Sequence, residues 1–193
     1  MPRPIEFDRD AVLDKAMHVF WEQGYEGASI SALLERMEIK RQSLYYAFGS
    51  KHELYLEALR RYYARSKQTD ITPLLENGPL RPRLERVFRS VIDSELGATE
   101  KQGCFLTNAT LECATRDDAV RELVCQSFKD GEGVFIRALS EAQVRGELKP
   151  EYDAKALAHY LMNALNGLRI TAKASPERAT LENVAALALQ VLE

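Results

Sequence analysis

Cysteine is scarce in this 193-residue chain, with three residues, at 104, 113 and 125. An odd number without metal-ligand spacing excludes a disulfide framework and a cysteine-bound zinc, and points to a reducing compartment, the cytoplasm. Long apolar runs are missing as well. The longest, around Ala185 to Leu189, falls far short of the roughly 18 residues of a spanning helix. The opening MPRPIEFDRD has no apolar stretch of the kind that signals export, so the chain is expected to be neither secreted nor membrane-inserted. There is no glycine-rich phosphate loop, triad signature, internal repeat or low-complexity tract. The marks of a nucleotide-dependent enzyme, a hydrolase or a solenoid are therefore lacking. No residue cluster asks for a metal or a cofactor.

What the sequence does have is an apolar fraction of 46%, a charged fraction of 28% and a net charge of −3, enough to bury a core without staples. The charge is unevenly spread. Residues 1–35 carry 3 Lys/Arg against 7 Asp/Glu, whereas residues 36–67 carry 8 against 3. A basic block in an acidic protein suits an anionic partner, and a solvated helix face gives the same sum. Apolar residues recur at helical spacing, as in Leu13, Ala16, Met17 and Phe20 or Leu84, Val87, Phe88, Val91 and Ile92, and no segment alternates with period two. Between Gly and Pro breakers the spacing predicts an all-α protein of about nine helices. They lie near 8–23, 29–36, 40–47, 51–70, 80–96, 104–114, 117–145, 151–173 and 177–191. Ser50-Lys51-His52-Glu53 reads as a capping box at the fourth start. Gly131 and Gly133 leave room for a break in the seventh helix.

Residues 29–48 have the spacing of a helix-turn-helix. With Leu44 at the centre of the buried face, Lys40, Ala47 and Phe48 fall on that side, while Gln42, Ser43, Tyr45 and Tyr46 point outward. Such a face suits the DNA major groove. Glutamine can pair with adenine, serine can donate or accept, and tyrosine can reach a phosphate while its ring meets a thymine methyl. Lys51 opens the next helix, whose free N–H groups and dipole favour a phosphate. A pair of half-buried tyrosines on an ordinary amphipathic helix pair is the plainer alternative. Arg3 could reach a minor groove as an arm, or be unstructured.

Ala16, Phe20, Gly24-Tyr25, Ser29-Ile30, Leu44-Tyr45-Tyr46-Ala47-Phe48, Ser50-Lys51 and Leu54 together resemble the amino-terminal domain of the TetR family of bacterial transcriptional regulators. The resemblance implies a three-helix DNA-binding domain over 1–50. A helical ligand-binding and dimerisation domain would occupy 51–193, with helix 51–70 as connector. It implies that Ser29 caps helix two near phosphate, that Gln42, Ser43, Tyr45 and Tyr46 contact groove or backbone, and that Lys51 anchors a phosphate. Lys40 and Arg41 join them as phosphate-seeking cations. The partner would be an inverted-repeat double-stranded DNA operator. Members often have a glycine and a small hydroxyl residue in the turn, where this chain has Glu38 and Lys40; a non-glycine in a left-handed conformation costs about 1 kcal/mol, so the turn is expected to differ in detail.

In the remaining two-thirds, the helices near 151–173 and 177–191 combine aliphatic and small residues beyond what one core needs. A homodimer through them would match the two-fold symmetry of a palindrome. An inducer pocket is expected among helices five to eight, with Phe88, Phe105, Asn108, Phe128, Phe135, His159, Tyr160, Asn163, Asn166 and Arg169 as candidates and core packing as the alternative. Cys104 follows Gly103 at an expected helix start, where a thiolate is favoured. With Lys173 late in helix eight, Gly-Cys-Phe-Leu at 103–106 resembles the electrophile- and hypochlorite-sensing group of the family that includes the repressor of the N-ethylmaleimide reductase operon. Otherwise Cys104 packs, as Cys113 and Cys125 are expected to. The functional expectation is a dimeric repressor, not an enzyme, released by an unknown small-molecule or thiol-reactive inducer. A thiol-dependent helical enzyme and a helix-turn-helix interaction module are the rivals.

Overall fold

The computed structural model describes residues 7–66, 71–97 and 102–192; Arg3 and the expected last turn of the fourth helix, 67–70, lie outside them. Among the described residues the regular structure is helical. Its helices are α1 (Arg9–Gly27), α2 (Ile30–Met37), α3 (Arg41–Phe48), α4 (Lys51–Ser66), α5 (Leu80–Gly97), α6 (Phe105–Glu112), α7 (Asp118–Val144), α8 (Ala154–Ala174) and α9 (Arg178–Gln190). A 3-10 turn at Thr72–Leu75 lies in the stretch expected only to break the chain, because Pro73 fits the first turn of a helix that needs no N–H there. No described helix is long and apolar enough to cross a membrane.

The chain divides into two compact units. Residues 1–65 and 108–124 make the first, and residues 66–107 and 125–193 the second. In the first unit, Asp8 starts α1 by accepting the N–H groups of Asp10 and Ala11, and Ala16 and Met17 are buried with Phe20 one helical turn further on. The α1 path is interrupted at Gly24, whose φ of 75° and ψ of 176° are open essentially to glycine alone. Arg61 of α4 forks onto both Asp14 oxygens, 2.5 and 2.9 Å away, and Arg65 adds a third contact. The arginine hydrogen bonds hold the Asp14 carboxyl below the usual carboxylate range.

In the second unit, α5, α8 and α9 bury a common core that includes Leu84, Phe88, Leu161, Leu165, Leu181 and Leu189. Arg83 is buried and ties the 3-10 turn to α5, donating through Nη1 to the carbonyls of Leu74 and Glu76. Helix α7 runs from Asp118 to Val144 without the break that Gly131 and Gly133 allowed for. At Gly131 the missing side chain has a packing reason: a Cβ there would stand 3.1 Å from the Met162 Cε of α8. Helices α8 and α9 leave Tyr160, Ile170, Val184 and Leu187 exposed.

Candidate nucleic-acid interface

The two helices of the motif are fixed by local chemistry. Ser29 caps α2, its hydroxyl accepting the Ala32 N–H at 3.1 Å, as the family resemblance implies. At the other end Glu38 takes the left-handed conformation, φ 58° and ψ 37°. The N–H groups of Glu38 and Ile39 return to the carbonyls of Glu35 and Leu34, the closure that a glycine normally provides. An ion pair with Lys15 of α1 holds the Glu38 carboxylate, and the left-handed turn forms on a glutamate where a glycine is usual. Lys40 precedes α3 with an extended backbone and no side-chain cap. It is exposed, a departure from the buried-side placement expected of it, because it stands outside the helix whose periodicity was used to place it.

Within α3, Leu44 and Phe48 are buried, and Arg9 lies 4.5 Å over the Phe48 ring while donating to the Ala47 carbonyl. Fixing that side leaves Arg41 and Gln42 exposed, with Tyr45 at 43% and Tyr46 at 61% exposure. Those two values decide against the packed-tyrosine alternative for this chain. Ser43 is half-buried, less outward than the sequence suggested. Lys51 is half-buried too, its ammonium 4.6 Å over the ring of Tyr25, a cation–π contact that restricts where it points.

Sequence reading missed the support beneath Lys51. Tyr25 packs on Tyr55, with ring centroids 4.8 Å apart, and Phe20 packs edge-on against Tyr55 at 5.0 Å. Burial, with the charge of Glu26 nearby, raises the Tyr25 hydroxyl pKa. Ser50 caps α4 by accepting the Glu53 N–H at 3.0 Å, but the Ser50 N–H goes to the Phe48 carbonyl, so only the serine half of the expected capping box is recorded. His52 lies 2.6 Å from Asp117. Burial pushes that carboxyl up, but the N–H of Val120 and the His52 imidazole outweigh it and leave Asp117 below its usual range.

The effector candidates are more dispersed. Phe105 and Phe135 are buried, Cys104, Asn108 and Phe128 half-buried, and Asn163 and Lys173 exposed. Tyr160 is 46% exposed on α8, and Arg169 faces Glu95 at 3.7 Å. Cys104 directly precedes α6, following Gly103 at a φ of 67°. Cys113 is buried, with Sγ 3.9 Å from the Tyr55 hydroxyl, and burial raises its thiol pKa. Cys125 is exposed, against the expectation of packing, because it falls on the outer side of α7. A cavity of about 280 Å³ lies between α5 and α9, lined by Arg81, Glu85, Phe88, Arg89, Ile92 and Arg178 among others; of the effector candidates only Phe88 is in its lining.

Comparison with known proteins matches both ends of this architecture. Residues 12–58 match the description "Bacterial regulatory proteins, tetR family", and residues 81–187 match "Tetracyclin repressor-like, C-terminal domain". An HTH-type transcriptional regulator of Bacillus subtilis, YezE, is 30% identical over 194 residues, covering all of both chains. The Escherichia coli transcriptional repressor ComR is 30% identical over 187 residues, 96% of this chain and 88% of ComR. Among solved structures, the regulator CifR, as a cysteine mutant complexed with 26-base-pair operator DNA, superposes with a TM-score of 0.88. That likeness has 33% identity over 99% of this chain and all of the other. The chain belongs to the TetR family: it is a DNA-binding transcriptional regulator with an amino-terminal helix-turn-helix and a helical carboxy-terminal domain.

Proposed function

We propose that the protein is a homodimeric repressor that seats one α3 helix per subunit in successive major grooves of an inverted-repeat operator. The observation that carries this reading is the exposed Arg41, Gln42, Tyr45 and Tyr46 over buried Leu44 and Phe48. In it, Gln42 and Ser43 read base edges, and Tyr45 and Tyr46 contact backbone and thymine methyls. Ser29, Lys40, Arg41 and Lys51 hold phosphates. Residues 1–50 bind DNA, and residues 51–193 bind the effector and dimerise. The exposed apolar side chains of α8 and α9 support a dimer face there. The protein acts in the cytoplasm and is not an enzyme.

An inducer of this repressor binds better to a conformer in which the two α3 helices cannot seat together, so it shifts the population away from the DNA-bound form. Coupling of 1 to 3 kcal/mol lowers operator affinity about 5- to 150-fold. Cys104, half-buried before α6, is the group through which a thiol-reactive inducer would act. That the similar operator-bound CifR was solved as a cysteine mutant supports a test of this arm.

Binding to duplex DNA over a salt series tests the reading. Lys51→Ala should weaken all sequences alike and flatten the salt dependence by about one unit of log–log slope, whereas Gln42→Ala should chiefly relax discrimination. Salt-independent binding would remove the phosphate roles, and sequence preference untouched in Gln42→Ala would remove the assignment of base readout to Gln42. Stoichiometric alkylation of Cys104 with no change in affinity would end the thiol arm alone.

A further inference from the structure

Two carboxylates from outside the helix-turn-helix hold the residues that surround Lys51. Glu112, the last residue of α6, accepts the Tyr25 N–H through Oε2 at 3.0 Å and the Glu26 N–H through Oε1 at 2.9 Å. These are donors set free where Gly24 interrupts α1. Asp117, just before α7, accepts the Val120 N–H through Oδ1 at 3.1 Å and meets His52 Nε2 through Oδ2 at 2.6 Å. Tyr25 is the ring on which the Lys51 ammonium rests, and His52 is the next residue in the chain. The segment 112–117 thus grips both the ring beneath Lys51 and the neighbour on its carboxy-terminal side. Glu112 uses one oxygen per donor, so it fixes the peptide plane at Tyr25 in a way that general charge screening cannot.

We propose that Glu112 and Asp117 are positioning residues for DNA binding. Glu112 sets the Tyr25 ring under Lys51, and Asp117 sets His52, so segment 112–117 determines whether the ammonium is held at the start of α4 for a phosphate. The proposal rests on the reading of Lys51 as a phosphate anchor. A lysine side chain is a flexible stem with a point charge; resting on a ring narrows its range, and a ring that drifts gives that freedom back. Helix α6 ends at Glu112 and α7 begins at Asp118, so a change at the joint between them reaches Lys51 through two side chains.

A double-mutant cycle on the full chain tests this, read by fluorescence anisotropy of a labelled random-sequence DNA duplex over a salt series. Glu112→Gln keeps the side-chain size but turns one acceptor into a donor facing an N–H group. It should weaken binding about fivefold, at the lower end of measured couplings between sites, and change affinity by less than about twofold when Lys51 is already alanine. Asp117→Asn should show the same dependence on Lys51, and it keeps the cycle decidable if Glu112→Gln fails to fold. Tyr25→Phe, which retains the ring, should bind like the wild type, whereas Tyr25→Leu should resemble Glu112→Gln. If Lys51→Ala weakens binding but the Glu112 and Asp117 effects simply add to it, the two carboxylates are structural and the proposal fails while the DNA-binding reading stands. If Lys51→Ala changes nothing, the anchor itself is misassigned and both fall.

Discussion

Replacing Gly24 by alanine puts a methyl group where the Glu112 carboxylate already lies: the new Cβ would be 2.7 Å from Oε2 and 2.9 Å from Oε1. The carboxylate is the end of a flexible side chain and can swing away, but only by releasing the N–H groups of Tyr25 and Glu26. Backbone strain adds to this, since φ 75° with ψ 176° costs a residue with a Cβ about 1–3 kcal/mol. Hydrogen bonds to a charged acceptor contribute about 1.5–3 kcal/mol, discounted here because water can reach the released groups. The expected loss is about 3–5 kcal/mol, a large share of the roughly 5–15 kcal/mol that holds a domain together. Urea unfolding followed by the fluorescence of Trp21, the chain's one tryptophan, reads the first unit directly, because its indole packs against Tyr62 with ring centroids 4.9 Å apart. With a slope of about 1–3 kcal/mol per molar urea, the midpoint should fall by at least 1 M at fixed protein concentration. The Gly24→Ala/Glu112→Ala double variant should lose less than the sum of the two single losses, because both remove the same bonds. A Gly24→Ala loss below about 1 kcal/mol would refute the account of this turn.

Acid should weaken the first unit through Asp14. Its pKa is depressed in the folded state by Arg61 and then Arg65. The stability it contributes is therefore complete above the ordinary aspartate value of about 4 and lost as pH falls through the lower folded value. The Trp21 unfolding midpoint should drop over that window in the wild type and drop less in Asp14→Asn; equal pH dependence in both would sink the assignment. In α7, Gly133→Ala should raise the melting temperature, with a gain of up to about 1 kcal/mol, because a Cβ at 133 has no neighbour within 4 Å. Gly131→Ala should gain less, since Met162 Cε must give way. A larger gain at 131 than at 133, read by calorimetry, would contradict the packing described between α7 and α8.

The helices were legible because burial imposes a 3.6-residue rhythm that survives in the sequence, and the motif was legible because its chemistry is local. The Ser29 cap spans four residues, and the alternation of Leu44 and Phe48 with Tyr45 and Tyr46 spans five. What stayed hidden depends on contacts across the chain. Glu112 lies 87 residues from Tyr25, and nothing in the spacing of either residue announces the other. Glycine 24 was visible as a breaker, but the carboxylate that fills the space of its missing side chain was not. Periodicity also misplaced Lys40, which is outside α3, and Cys125, whose residue type suggests burial while its position on α7 leaves it in water. The aromatic and amide effector candidates were chosen by residue type, Cys104 and Lys173 by position and resemblance, and they scatter over core and surface because packing uses the same residue types as ligand binding.

The first unit is completed by residues 108–124, which the chain supplies only after a detour of some forty positions through the second. A fragment cut after α4 would carry the whole helix-turn-helix and yet leave Tyr55 without its cover by Cys113, and the turn at Gly24 without an acceptor for its amides. Anyone splicing this DNA-reading head onto a foreign sensor inherits the same problem. The graft needs two pieces of this chain, not one, and the short second piece decides whether the first stands.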